Sequence, residues 1–334
     1  MSEKIPFSTV LAALTNTAAN FPARFLPEFS DLSPADVASL RAVWPQVALN
    51  RQRNLLRDLN ELYRSETLFS FEDAAVALLD DADPLVRAQA VRLLEETQDK
   101  RLLPRLLKMA ESDLDVGART EVAHVLGNFV RMGELDDIPA EQKLRVEDVL
   151  LRAVKEEKNA HLQRAALESL GYSSRPEVPE LIESAFERPD SHWVVSALTA
   201  MLNSADPRWD EQTLVSLNHE DSQVRLIAAQ AVGELELKTA RQKMLTMLED
   251  EEDDEVYEAV IWSLSQIGGE DVRDYLQALL DAAEDDETVE FLEDALANLS
   301  FTEDMEEFDL IAYDPDDDLL EKDETDDTEE EEGK

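Results

Sequence analysis

The sequence contains no cysteine. Disulfides, thiolate metal sites and cysteine nucleophiles are thereby excluded, although that absence does not fix the compartment. Glycine and tyrosine are also scarce, at 8 and 5 of 334 residues, and β-branched residues are sparse. Ala, Leu, Glu and Asp are abundant instead. This mixture favours helices, in which Ala and Leu cost little. No run of about 18 apolar residues occurs, so no membrane span is expected. The opening stretch, MSEKIPFSTVLAALTNTAANFP, lacks a basic region and a small-residue cleavage site, so its apolar run is expected to form a first helix rather than a signal peptide. The cytoplasm is the expected location.

Positive charge is in short supply as well. The chain has 31 Lys and Arg against 77 Asp and Glu, a net charge of −46. Nucleic-acid binding requires clustered Lys and Arg to neutralise phosphates, and this balance argues against it. The expected partner is a protein, with a basic surface as one form of it. The charge is uneven: residues 1–72 carry a net −1 and residues 302–334 a net −16. The chain is therefore expected to run from a nearly neutral head to a strongly negative end.

What the sequence does contain is a repeat. DADPLVRAQAVRLL begins at Asp81 and HEDSQVRLIAAQAVGEL at His219. Each has a short acidic turn, then Val-Arg, then small and apolar residues at helical spacing. Aligned on that valine, the anchors are Val86, Ala118, Leu162, Trp193, Val224, Val256 and Thr288, at intervals of 32, 44, 31, 31, 32 and 32. One insertion of about a dozen residues, within GNFVRMGELDDIPAEQKLRV from Gly127, breaks the period. A second apolar helical stretch precedes each anchor, as in RLLPRLLKMAES, PEVPELIESAFE and TARQKMLTMLED. Asp in the turns suits N-caps, and Pro84 after Asp83 suits the first helical position. A lone helix pair cannot bury its apolar face, so the units must stack.

The Val-Arg-x-x-Ala-x-x-Ala-Leu-Gly-like helices after an Asp turn, in Val224–Gly233, Val256–Gly268 and Val86–Leu94, resemble short HEAT repeats. Such repeats also occur in bilin lyase subunits, and the whole chain is similar to bacterial HEAT-repeat proteins with an acidic end. The resemblance implies an all-α, right-handed α-solenoid of about seven hairpins over residues 71–300. An N-terminal helical cap over 1–70 and a disordered acidic tail over 301–334 are expected to flank it. It implies no particular activity, since this architecture serves many roles.

Within the cap, Ser33-Pro34-Ala35-Asp36 reads as a capping box that opens a helix to about Trp44. A second helix over about Arg51–Arg64 has an apolar stripe of Leu55, Leu56, Leu59, Leu62 and Tyr63. Arg53, Arg57 and Arg64 lie opposite, either as a solvated face or as a basic docking stripe. In the tail, Phe308, Leu310, Ile311 and Tyr313 stand among acids, either as a docking motif or as the continuation of the last helix.

Catalytic patterns are missing. The four histidines, His124, His161, His192 and His219, fall in different repeats, and only His219-Glu220 forms a His-Glu dipeptide. The acidic run from Asp314 imitates an EF-hand loop but has Leu319 where Gly is needed and Thr325 where Glu is needed. No phosphate loop, nucleophile elbow or dinucleotide fingerprint occurs. No catalytic residue, cofactor or metal is expected.

Binding residues follow from helical geometry. In each second helix the anchor and the residues four and eight later form the buried stripe. The residue six after the anchor lies roughly 200° from that stripe's centre. This column reads Arg92, His124, Glu168, Thr199, Gln230, Trp262 and Asp294. Trp262 is the large aromatic among polar equivalents, with Glu258 one turn before it, and exposed Trp is typical of binding hot spots. The alternative is that Trp262 packs on a neighbouring repeat. Arg87, Arg119 and Arg225 are expected to pair with acidic turn residues of adjacent units. The function expected is a non-catalytic protein-interaction scaffold or assembly factor. The alternatives are a bilin-lyase-like accessory subunit and an acidic chaperone that shields a basic protein.

Overall fold

A computed structural model describes residues 5–66 and 68–312, with side chains through Met305. Every regular element among them is helical, and the chain divides into two compact units, Met1–Asp206 and Pro207–Lys334. The first unit opens with α1 (Phe7–Thr15), α2 (Pro34–Val43) and α3 (Leu49–Ser65). Four hairpins follow: α4 (Glu72–Leu78) with α5 (Pro84–Arg92), α6 (Leu103–Ser112) with α7 (Val116–Glu134), α8 (Ala140–Glu156) with α9 (Ala160–Leu170), and α10 (Val178–Phe186) with α11 (Ser191–Ser204). The second unit has three: α12 (Asp210–Ser216) with α13 (Ser222–Glu234), α14 (Arg241–Asp250) with α15 (Asp254–Ile267), and α16 (Glu270–Ala282) with α17 (Asp286–Ala312). In the first unit α3, α5, α7, α9 and α11 pack in succession; in the second, α13, α15 and α17 do. No described helix is long and apolar enough to cross a membrane.

Each second helix starts where it does because the residue three before the anchor is Asp or Asn. Asp83, Asp115, Asn159, Asp190, Asp221, Asp253 and Asp285 each accept a hydrogen bond from a backbone N–H of the first turn, at 2.8–3.2 Å. These donors would otherwise be unsatisfied. The apolar stripe is buried as expected in six hairpins, for example Val86, Ala90 and Leu94, or Val256, Val260 and Leu264. Thr288, aligned as the seventh anchor, is exposed, and only Leu292 of its stripe is buried. Thr288 sits in the first turn of α17, and no further second helix follows among the described residues to cover it. The insertion is absorbed where two hairpins join, by lengthening the second helix of one, α7 with 19 residues, and the first helix of the next, α8 with 17.

Two further contacts fix the spacing of neighbouring hairpins. The first is a guanidinium ladder. Arg87 pairs with Asp113 at 2.6 Å, Arg119 with Glu157 at 3.1 Å and Arg225 with Glu251 at 2.7 Å, each reaching the turn of the next hairpin. Arg87 also donates to the Asp81 and Ala82 carbonyls of its own turn, and Arg225 to those of His219 and Glu220. The second contact is a close approach of backbones nine residues after the anchor. A Cβ on Gly171 would lie 2.5 Å from the Ala200 carbonyl oxygen, and one on Gly233 would lie 2.8 Å from the Ser263 Cα.

The N-terminal helices are joined to the first hairpin by similar chemistry. The Trp44 indole donates to Asp81 at 2.7 Å, and Arg53 pairs with Asp83 at 2.5 Å. Ser33 caps α2 as expected, its hydroxyl accepting from the Asp36 N–H at 3.2 Å and donating to the Asp36 carboxylate at 2.7 Å. At the other end α17 continues to Ala312, so residues 301–312, assigned to the tail from sequence, are helical. Phe308, Leu310 and Ile311 belong to that helix, whereas Tyr313 and the EF-hand-like run lie outside the described residues.

Gly233→Ala places a methyl against the Gln266 and Ser263 side chains and, at 2.8 Å, against the Ser263 Cα of α15, which cannot rotate away as a side chain can. It is expected to cost about 1–3 kcal/mol in urea unfolding followed by circular dichroism. Arg225→Ala leaves Glu251, whose side chain is 5% exposed, without its cation, and is expected to cost on the order of 2 kcal/mol near neutral pH. Hydrogen bonding from Arg225 is the main cause holding Glu251 below the ordinary carboxylate range. A depressed folded-state value gives stabilisation that is complete above the unfolded carboxylate range, roughly pH 4, and is lost as pH falls from there through the lower folded-state value. The stability difference between wild type and Arg225→Ala should therefore be full at pH 6 and shrink steadily below about pH 4.

Candidate protein-binding face

The face opposite the buried stripe differs between the two units. In the first unit its polar groups are already paired. Arg92, half-buried on α5, forms an ion pair with Glu121 of α7, and this hydrogen bond is the main cause raising the Arg92 pKa. On the next helices, Nδ1 of exposed His124 lies 3.6 Å from the Glu168 carboxylate, which also accepts from the Ser196 hydroxyl at 2.5 Å. The Thr199 hydroxyl donates to the Val195 carbonyl at 3.0 Å. Ser196, Glu168 and His124 do not form a nucleophile–base pair. The carboxylate stands between hydroxyl and imidazole, and Ser196 is only 2% exposed.

The second unit leaves the same face open. Gln230 on α13 and Glu258 and Trp262 on α15 line one groove of about 520 Å³, with Leu226, Ala259 and Phe291 as its apolar surface. Trp262 is 41% exposed, whereas Trp44, Trp193 and Trp209 are 5–6% exposed. The position follows from the helix: Val260 and Leu264 are buried, and Trp262 between them points away. The Gly233–Ser263 approach beside it holds α13 and α15 together under the groove. Glu234, Glu255 and Glu258 are exposed at its edge and make no ion pair among the described residues.

Apart from Asp294, which is exposed on α17 and does not line the groove, the predicted residues fall into two groups. Gln230, Glu258 and Trp262 share the groove; Arg92, His124, Glu168 and Thr199 are engaged within the first unit. Sequence reasoning missed Leu226, Glu234, Glu255, Gln266 and Phe291. A signal for three of them was present. Leu226 and Glu258 stand two residues after their anchors, and Glu234 and Gln266 stand ten after. Extending the column by one turn in each direction finds Leu226, Glu234 and Gln266.

The basic residues are mostly committed elsewhere. On α3, Arg53 is held by Asp83, and Arg57 by Asp58 at 2.7 Å, while Arg64 is exposed; the stripe is largely neutralised within the unit. An open depression of about 730 Å³ in the first unit is lined by Arg145, Arg152 and Arg175 together with Glu111 and Asp148, which pair with them at 2.8–3.3 Å. No group of three or more His, Asp or Glu side chains among the described residues is arranged to hold a metal ion.

Comparison with known proteins agrees with the repeat. The HEAT-repeat family profile matches residues 72–140 and 211–297, one segment in each unit. The CpcE–CpcF complex of phycocyanin lyase from Nostoc sp. is similar in structure, at 16% identity over 90% of this chain and 99% of that one, with a TM-score of 0.48. YibA from Escherichia coli is similar at 16% identity over 84% and 97% of the two chains, with a TM-score of 0.43. Importin beta is 16% identical over 88% of this chain and 41% of its own, with a TM-score of 0.39. No curated protein matches in a sequence search. The repeated anchors, the capped turns and the matching family profile show that residues 72–140 and 211–297 are HEAT repeats.

Proposed function

We propose that the protein is a non-catalytic interaction scaffold whose protein partner is seated at the Trp262 groove. The observation that carries this reading is a large aromatic side chain, 41% exposed, at a repeat position that is otherwise polar. An indole left open to water at the centre of an apolar surface is the arrangement in which truncation usually costs binding most. Leu226, Ala259 and Phe291 extend that surface, and Gln230, Gln266 and the three glutamates supply a polar rim, the usual plan of an interface. Arg92, His124, Glu168 and Thr199 have a smaller part in this reading. Side chains already paired within the chain gain little from a new partner.

The test is affinity purification from native lysate with wild type and Trp262→Ala. Because Trp262 is outside the buried stripe, the variant is expected to keep its helical circular dichroism and to unfold within a few degrees of wild type. Recovery of a stoichiometric partner should fall by about tenfold or more, the scale of a hot-spot truncation. A partner retained at full affinity by the variant places binding elsewhere, and recovery of no stoichiometric partner by wild type overturns the scaffold reading.

A further inference from the structure

The groove's charge is as unusual as its tryptophan. Residues 207–312 contain 30 acidic and 6 basic side chains. None of those six, Arg208, Arg225, Lys238, Arg241, Lys243 and Arg273, lines the groove. Arg225 is held by Glu251, Arg241 lies 3.8 Å from Asp271, Lys243 donates to the Leu214 carbonyl and Arg273 to Glu303. Glu234, Glu255 and Glu258 surround an exposed indole with no cation of the described chain to balance them.

Building on the scaffold reading, we infer that the groove receives an arginine- or lysine-bearing segment of the partner protein, with the cationic head over the Trp262 ring and within reach of the three glutamates. An indole face attracts a guanidinium or ammonium through its negative quadrupole, and Trp is the strongest of the aromatic side chains in this respect. Carboxylates at the rim add charge-assisted hydrogen bonds to the same head group. The aliphatic stem of the cationic side chain matches the apolar surface of Leu226, Ala259 and Phe291. Charge also removes two other occupants. Residues 302–334 carry a net −16 and a second copy of the chain carries −46, and both are repelled by this rim.

The decisive probe is a short peptide with one central arginine flanked by leucines, compared with the same peptide carrying neutral, nearly isosteric citrulline and with one carrying glutamate. Binding to the full chain is read from Trp fluorescence. Trp262→Phe keeps an aromatic ring and removes the reporter, leaving only the three buried indoles. The arginine peptide should produce a saturable change that is absent in Trp262→Phe and weakens several-fold between 0.1 and 0.5 M salt. Citrulline should weaken binding about tenfold, and the glutamate peptide should not bind. Replacing Glu234, Glu255 and Glu258 together by Gln should weaken the arginine peptide about tenfold. The same loss of charge at Glu66, Asp136 and Glu141 should change it less than twofold, which separates a site from general attraction to an acidic protein.

Equal binding of the citrulline and arginine peptides overturns the cationic assignment and makes the groove a purely apolar one. Equal loss from both triple variants overturns it in favour of diffuse electrostatics, and a change that persists in Trp262→Phe places the peptide elsewhere. Failure here is distinct from failure of the scaffold reading. A lysate partner recovered by wild type and lost by Trp262→Ala, together with indifference to citrulline, sinks only the chemistry of the occupant.

Discussion

A guanidinium that reaches from one hairpin into the turn of the next sets the register of this protein. Arg87, Arg119 and Arg225 follow their anchors by one residue. Each meets a carboxylate five residues before the following anchor, at Asp113, Glu157 and Glu251. Those acids also order their own turns: Asp113 accepts the Asp115 N–H at 2.9 Å, and Glu251 accepts that of Asp253 at 3.1 Å. Asp115 and Asp253 then cap the next second helix. One side chain thereby ties a helix start, a turn and a neighbouring hairpin together. Breaking it strands a largely buried acid, which is why the contact matters more than an exposed ion pair of the same length. The ladder is not universal. Gln163 and Val194 stand at the equivalent place in α9 and α11, where Gln163 donates to the Val154 carbonyl and Arg188 lies 3.7 Å from the centre of the Trp193 ring.

With register fixed, the inter-helix distance depends on what stands nine residues after the anchor. Gly127, Gly171 and Gly233 occupy that place, and their counterparts in the next hairpin, Ser169, Ala200 and Ser263, are small as well. Close packing there leaves the residues two, six and ten after the anchor on the opposite face. In the first unit polar groups at those positions, such as Arg92, Glu168 and Asn203, are paired within the unit. In the second those positions carry Trp262, Gln230 and unpaired glutamates, so the same backbone plan presents a closed face in one unit and an open one in the other.

Much of this was legible in the sequence because it is periodic. The anchors, the buried stripe, the capped turns and the ladder recur at about 32 residues, and each has a local physical cause. The exposure of Trp262 followed from a 100° rotation per residue. Features that occur once were not legible. Period alone does not say that the insertion after Gly127 lengthens α7 and α8, that Thr288 is left uncovered, or that α17 continues past residue 301. Nor does it say that Phe291 comes up to α15, since that depends on how α17 packs. The groove was half legible: Gln230, Glu258 and Trp262 came from the column, whereas Glu234 and Glu255 needed the turn above and the neighbouring position on the rim.

In the free protein the Trp262 indole stands open within a field of carboxylates that make no ion pair among the described residues. Collisional quenching of tryptophan fluorescence by caesium and by iodide reads exposure and charge together. Caesium is expected to quench one accessible component efficiently, iodide to quench it several-fold less, and Trp262→Phe to abolish that component while the three buried indoles stay protected. Equal quenching by the two ions would mean that no acidic field surrounds the exposed indole, and a quenchable component that survives in Trp262→Phe would mean that the open indole is not Trp262.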